Sequence, residues 1–120
     1  MKKSAKKLDL TLPDNVDVLG VRFQVQVVDQ VDEEGSDGET NGTHRRIKIA
    51  SHQDTRRRWT TLLHEFMHAV FDVNGIASIA DDDLEEVQVQ SLEHALEQFL
   101  LAHGKQLLAA LQVQKEDIDD

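Results

Sequence analysis

The chain has no cysteine and no tyrosine, a single proline, one tryptophan and four phenylalanines among 120 residues. Without cysteine there are no disulfides, no thiolate metal sites and no cysteine nucleophile. Without tyrosine no phenolic hydroxyl is available to any mechanism. A metal in this chain must be held by histidine, aspartate or glutamate, of which there are six histidines and 23 acidic residues. No hydrophobic run reaches membrane-spanning length, and the lysines at the N-terminus are not followed by the apolar core of a signal peptide. A soluble, cytoplasmic protein with no membrane contact is expected. Thirteen basic residues against 23 acidic ones give a net charge of −10. That charge repels a polyphosphate backbone, so nucleic acid is not an expected partner. The basic residues cluster at Lys2, Lys3, Lys6 and Lys7 and at Arg56, Arg57 and Arg58. These clusters read as a solvated tail and a solvated helix face.

The length suits one domain with a modest core. Residues 1–7 read as a basic leader, 8–112 as the domain and 113–120 as an acidic tail. Leu8, Leu10 and Leu12 alternate with Asp9 and Thr11 and predict a short strand ending at Pro13. Val21, Phe23, Val25 and Val27 alternate with Arg22, Gln24 and Gln26, the period of a half-buried antiparallel strand. From Asp32 to Thr43 almost nothing is apolar, which predicts an exposed loop; His44 to Ala50 then returns to the sheet with Ile47 and Ile49 inward. A helix is expected from about Asp54 to the Asn74-Gly75 stop. A second runs from about Asp82 to His103, started by Asp81, Asp82 and Asp83 and stopped by Gly104, with a last short helix from Lys105 to Gln112. Strands followed by helices imply an α+β domain with a small, mostly antiparallel sheet.

The first helix carries His64-Glu65-Phe66-Met67-His68. Residues four apart share a helix face, so both imidazoles can converge on one tetrahedral metal. Glu65, rotated about 100° from His64, stands beside such a metal as a general base for its water. On the same wheel Asp72 joins the ionisable wedge, while Trp59, Leu62, Leu63, Phe66, Met67, Val70 and Phe71 fill the remaining arc. Two histidines, a glutamate and an aspartate on one side of an otherwise apolar helix need compensation, and a metal supplies it. The competing reading is a helix whose histidines happen to lie four apart. Zinc needs a third protein ligand and, for catalysis, an open position. Seventeen residues separate His68 from Glu86, enough for the chain to turn back, and Glu86 sits at the edge of the apolar face formed by Val89, Leu92, Leu96, Phe99 and Leu100. Glu85, Glu93 and Asp72 are the other candidates.

The stretches TTLLHEFMHAVF and EEVQVQSLEHAL resemble the small gluzincin-like metallopeptidases of the ImmA/IrrE type, including the compact versions common in phage and prophage genomes. The resemblance spans roughly Val21 to Leu100, with HExxH its specific part. In that family the helix after HExxH carries a glutamate followed by a small residue at three, an asparagine at four and an apolar residue at six. Glu86, Val89, Gln90 and Leu92 stand at those positions, with valine where the family has a small residue and glutamine where it has asparagine. The resemblance implies zinc-dependent peptide-bond hydrolysis, with His64, His68 and Glu86 as ligands, Glu65 as base, and a protein or peptide substrate. It also implies that an extended peptide adds to a sheet edge, for which His44–Ala50 is the expected strand. The oxyanion helper would be a histidine, an arginine or a backbone N–H.

Other single residues take plainer readings. Asp72 suits a hydrogen-bond acceptor that orients His68; His94 reads as surface, His103 as a packing histidine, and His44 and His52 as loop histidines. Trp59 and Met67 read as core. The rival to an enzyme is a zinc-containing protein-binding module that does not cut its partner. Glu65 separates the two, since a purely structural site needs no base. A third reading, an acidic interaction protein with an accidental motif, predicts no stoichiometric metal. Oligomeric state has no signature in the sequence.

Overall fold

Asn15–Val18 (β1) and Val21–Val28 (β2) form a hairpin in which Val16, Val18, Phe23 and Val25 turn into the core. Gly38–Asn41 (β3) and Arg46–Ala50 (β4) form a second hairpin that buries Ile47 and Ile49. Two helices follow, Thr55–Asn74 (α1) and Asp83–Leu111 (α2). The computed structural model describes residues 9–32, 35–74 and 83–113, the side chains of 83–87 and 89 excepted. The expected leader 1–7, most of the acidic tail, Gly75, Asp81, Asp82 and the side chains of Glu85 and Glu86 lie outside that description.

The sheet order is β1-β2-β4-β3. The two outer pairings are antiparallel and the central one, β2 with β4, is parallel. This is the α+β architecture expected, with a small mixed sheet followed by two helices. The helices lie on one face, and Trp59, Leu62, Phe66, Ala69 and Val70 of α1 join the strand residues in one core cluster. Burying a side chain of this kind stabilises the fold by about 1.5–3 kcal/mol. Phe66 meets Phe99 of α2 with ring centroids 4.7 Å apart, so both helices close on the same core. Asp54 caps α1 as its residue type predicts: its Oδ1 accepts from the Arg57 N–H at 2.8 Å.

Four local expectations are corrected. Residues 9–12 form no strand; the Leu10 carbonyl instead accepts from the Trp59 indole at 2.9 Å, and Leu12 is buried. The strand that forms here is β1, which begins just beyond Pro13 and pairs with β2. The stretch 32–43 is not loop throughout, since β3 lies within it, paired to β4 by backbone bonds that need no apolar alternation. Gly104 does not stop the second helix, which runs unbroken to Leu111 because Leu107 and Ala110 bury themselves in the core beyond it. That packing outweighs the roughly 1 kcal/mol disadvantage of an interior glycine. Finally, β4 is not a sheet edge. It is paired on both sides, and the outer strand on that flank is β3.

Candidate metal centre

α1 places His64 and His68 on its exposed side and Glu65 on its buried side. The two imidazoles meet edge to face, at 76° between their planes, with the Nε2 atoms 3.2 Å apart in hydrogen-bond contact. Two nitrogens bound to one tetrahedral zinc, at 2.0–2.1 Å each, stand about 3.3 Å apart. The hydrogen-bonded pair is close to the separation of two nitrogens on one ion, and the exposed rings leave room for further ligands. Imidazole nitrogens suit zinc and other borderline ions.

Glu65 is only 7% exposed, and β3 covers it. The Thr40 hydroxyl lies 2.7 Å from Glu65 Oε1 and 3.0 Å from the Glu65 carbonyl oxygen. A hydroxyl has one proton, and the charge-assisted bond to the carboxylate is the stronger destination. This contact fixes the direction of the Glu65 side chain. It is possible because β3 comes very close to α1 at Gly38: a Cβ there would stand 2.7 Å from Thr61 Cγ2, 3.1 Å from the Lys48 carbonyl oxygen and 3.2 Å from Glu65 Cγ. Gly42 makes a similar approach farther along, where a Cβ would meet Asp72 Oδ2 at 2.9 Å.

The β3–α1 contact is pinned from behind by Gln53. Its buried amide donates to the Asp37 and Ala50 carbonyls at 2.9 and 2.8 Å and accepts from the Thr61 hydroxyl at 2.6 Å. Asp37 in turn accepts from Arg57 Nη2 at 3.1 Å and stands 3.4 Å from His52 Nε2. Between β3 and α1 opens a cleft of about 380 Å³, lined by Ser36, Asp37, Gly38, Arg57, Thr60, Thr61, His64 and Glu65. The arginine run at the helix start is therefore more than a solvated face: Arg57 borders this cleft, and Arg58 donates to the Gln53 and Ser51 carbonyls.

His64 and His68 are thus brought together, while Glu65 turns to the buried side of the helix. Among the described residues no third histidine, aspartate or glutamate joins the two histidines in a cluster able to hold a metal. Asp72 sits beside Gly42, and Glu93 and His94 are exposed on α2. Glu85 and Glu86 belong to the α2 backbone, with side chains outside the description. His103 packs its ring against Phe99 at 5.1 Å between centroids, and burial lowers its pKa from the ordinary histidine value. His44 and His52 are exposed. Thr40, Gln53 and Asp37 escaped the sequence reading. Their roles depend on β3 crossing α1, and the segment Gly38–Asn41 has no hydrophobic period to announce a strand.

A family model described as the IrrE N-terminal-like domain, Peptidase_M78, matches residues 16–120. No curated protein and no solved structure matches the chain.

Proposed function

The chain belongs to the IrrE N-terminal-like peptidase family, and we propose that it is a zinc-dependent peptidase in which His64 and His68 hold the metal and Glu65 is the general base. The observation that carries this reading is the 3.2 Å separation of the two Nε2 atoms beside a carboxylate held in place by Thr40. Glu86 is proposed as the third ligand, from its position in the family pattern on α2. Bound zinc supplies a Lewis acid that acidifies water and polarises a carbonyl.

The chain's own residues account for the rest. Glu65 is among the residues that line the cleft, where a base takes a proton from water and returns it to a leaving amine. Thr40 restricts the carboxylate to one orientation, which lowers the reorganisation needed at proton transfer. The substrate strand belongs on β3 rather than on β4. β3 is the outer strand, and its hairpin position puts it along the same cleft as His64 and Glu65. An extended peptide added there gains backbone hydrogen bonds beside the reacting groups. Arg57, at the cleft wall two helical turns before His64, borders that path and is held by Asp37. The small cleft fits a narrow substrate range.

Glu65→Gln tests the reading. Metal content is measured on the purified variant, and hydrolysis on a proteome-derived peptide library read by mass spectrometry. Glutamine keeps the shape and the zinc, while cleavage should fall by about 10²–10⁴-fold. Wild-type cleavage by the variant would remove Glu65 as base. A variant and a wild type that both bind zinc but cut nothing would favour the binding-module reading.

A further inference from the structure

The register of β3 shows which of its backbone groups remain available. The Ala50 N–H donates to the Asp37 carbonyl at 2.8 Å, so these two residues, directly opposite each other and next to the Gly38–Ile49 pair, are joined by the ladder. Bonded and unbonded pairs alternate along an antiparallel ladder, so Glu39 and Asn41 also turn their backbone groups toward β4. Gly38 and Thr40 turn theirs to the open edge, where no other described backbone group meets them. β3 also advances in the same direction as α1: Gly38 approaches Thr61 and Glu65, Thr40 reaches Glu65, and Gly42 approaches Asp72. Antiparallel addition is the more stable pairing. A peptide paired in that way with Gly38 and Thr40 runs against α1, its N-terminal part toward Asp72 and its C-terminal part leaving past Asp37 and Arg57.

Arg57 stands at that exit. It precedes His64 by seven residues, which is about 20° in bearing and about 10 Å along the helix axis. An extended chain covers that length in about three residues. Its guanidinium carries the permanent positive charge among the described residues that line the cleft, and Asp37 Oδ2 accepts only from Nη2, at 3.1 Å. The Asp37 carboxylate is itself shared, since its Oδ1 lies 3.4 Å from His52 Nε2. Neighbouring hydroxyls are engaged elsewhere: Thr60 donates to the Arg56 carbonyl at 3.1 Å and Thr61 to Gln53 at 2.6 Å.

Building on the peptidase reading above, we propose that Arg57 is a specificity residue that binds a substrate carboxylate about three residues beyond the scissile bond. That carboxylate is an acidic side chain or the peptide's own C-terminus. A guanidinium presents its N–H donors in a planar fork matched to a carboxylate, and with Nη2 engaged by Asp37 the other nitrogens can bond a second one. The Asp37 contact holds the side chain on the cleft wall before substrate arrives, which lowers the ordering cost. Net charge sharpens the contrast. A chain carrying −10 repels an acidic peptide over most of its surface, so a cation beside the groove favours that peptide in one register only. Because the Arg57 side chain is 63% exposed, the preference is modest, about 5-fold over the matching amide.

A proteome-derived peptide library read by mass spectrometry tests this in two arms. The wild type is scored for the sites it cuts, and the Glu65→Gln variant for the peptides it retains. Aspartate, glutamate or a free C-terminus should be enriched about 5-fold at about the third residue after the cut, and the same sequences should be retained by Glu65→Gln. Matched peptides with Asp or Asn there, and with free or amidated C-termini, identify which carboxylate is read. Arg57→Gln should remove the preference, Arg57→Glu should turn it toward lysine, and added salt should shrink the wild-type ratio. Each preference is a ratio within one variant, so a change in the amount of folded protein cancels. Cutting without charge preference, or a preference that survives Arg57→Gln, overturns the subsite and leaves the peptidase standing. Retention of acidic peptides that depends on Arg57, with no cutting by the wild type, has the reverse meaning: the subsite stands and catalysis by Glu65 fails. A preference upstream of the cut overturns the assigned direction, and a library from which nothing is cut or retained overturns the proposal.

Discussion

Gly38→Ala is the sharpest probe of how the fold builds its site. The added methyl would lie 2.7 Å from Thr61 Cγ2, 3.1 Å from the Lys48 carbonyl oxygen and 3.2 Å from Glu65 Cγ. None of the three can yield easily. The Thr61 methyl is fixed because its hydroxyl bonds Gln53 at 2.6 Å, and rotating it breaks that buried bond. The Lys48 carbonyl is backbone in a strand paired on both sides. Moving Glu65 pulls its carboxylate from Thr40. The remaining response is for β3 to lift off α1. Overpacking of this kind costs about 1–3 kcal/mol, or roughly 5–15 °C of melting temperature for a domain of this size. The assay is thermal unfolding followed by circular dichroism. Gly104→Ala is the control, because a methyl there would meet only Leu100 side-chain atoms at 3.7 Å or more. If Gly38→Ala melts no lower than wild type, β3 does not press on the HExxH helix as described, and the account of how Glu65 is held fails.

The other predictions follow from the same geometry. The protein should purify with about one zinc per chain, and His64→Ala should lose it, as elemental analysis would show. Alanine at Glu86 should weaken zinc binding by about 10-fold or more; a larger loss at Glu85, Glu93 or Asp72 reassigns the third ligand and leaves the histidines in place. Thr40→Val should slow peptide cleavage by about 10-fold through kcat with KM little changed, and Thr40→Ser should restore it. A Thr40→Val enzyme with full kcat would show that the hydroxyl does not position the base. Burial lowers the pKa of His103, so the folded state binds fewer protons than the unfolded one between that lowered value and the ordinary 6.5. Stability should therefore fall as pH drops below about 6.5, and chemical denaturation should show a flatter decline for His103→Leu. A variant that loses stability as steeply as wild type would place the titrating group elsewhere.

Local chemistry wrote much of this protein into its sequence. The two-residue period of β2, the Asp54 cap and the four-residue spacing of His64 and His68 all act over a few neighbouring residues, so they are readable from the chain alone. The absence of cysteine and tyrosine likewise restricted the metal ligands and the possible acids before any fold was known. What acts at long range was not legible. Whether Gly104 ends a helix depends on whether Leu107 and Ala110 find a core, and they do. Whether His44–Ala50 is an edge depends on which strands flank it, and β3 takes that edge through backbone pairing that leaves no side-chain pattern. Thr40 and Glu65 lie 25 residues apart and meet only because two glycines let β3 approach α1. The sequence by itself determined the HExxH residues and their spacing, because a helix repeats every few residues; the tertiary structure alone decided what holds the Glu65 side chain and which strand stands over it, because those contacts join segments that no local rule connects.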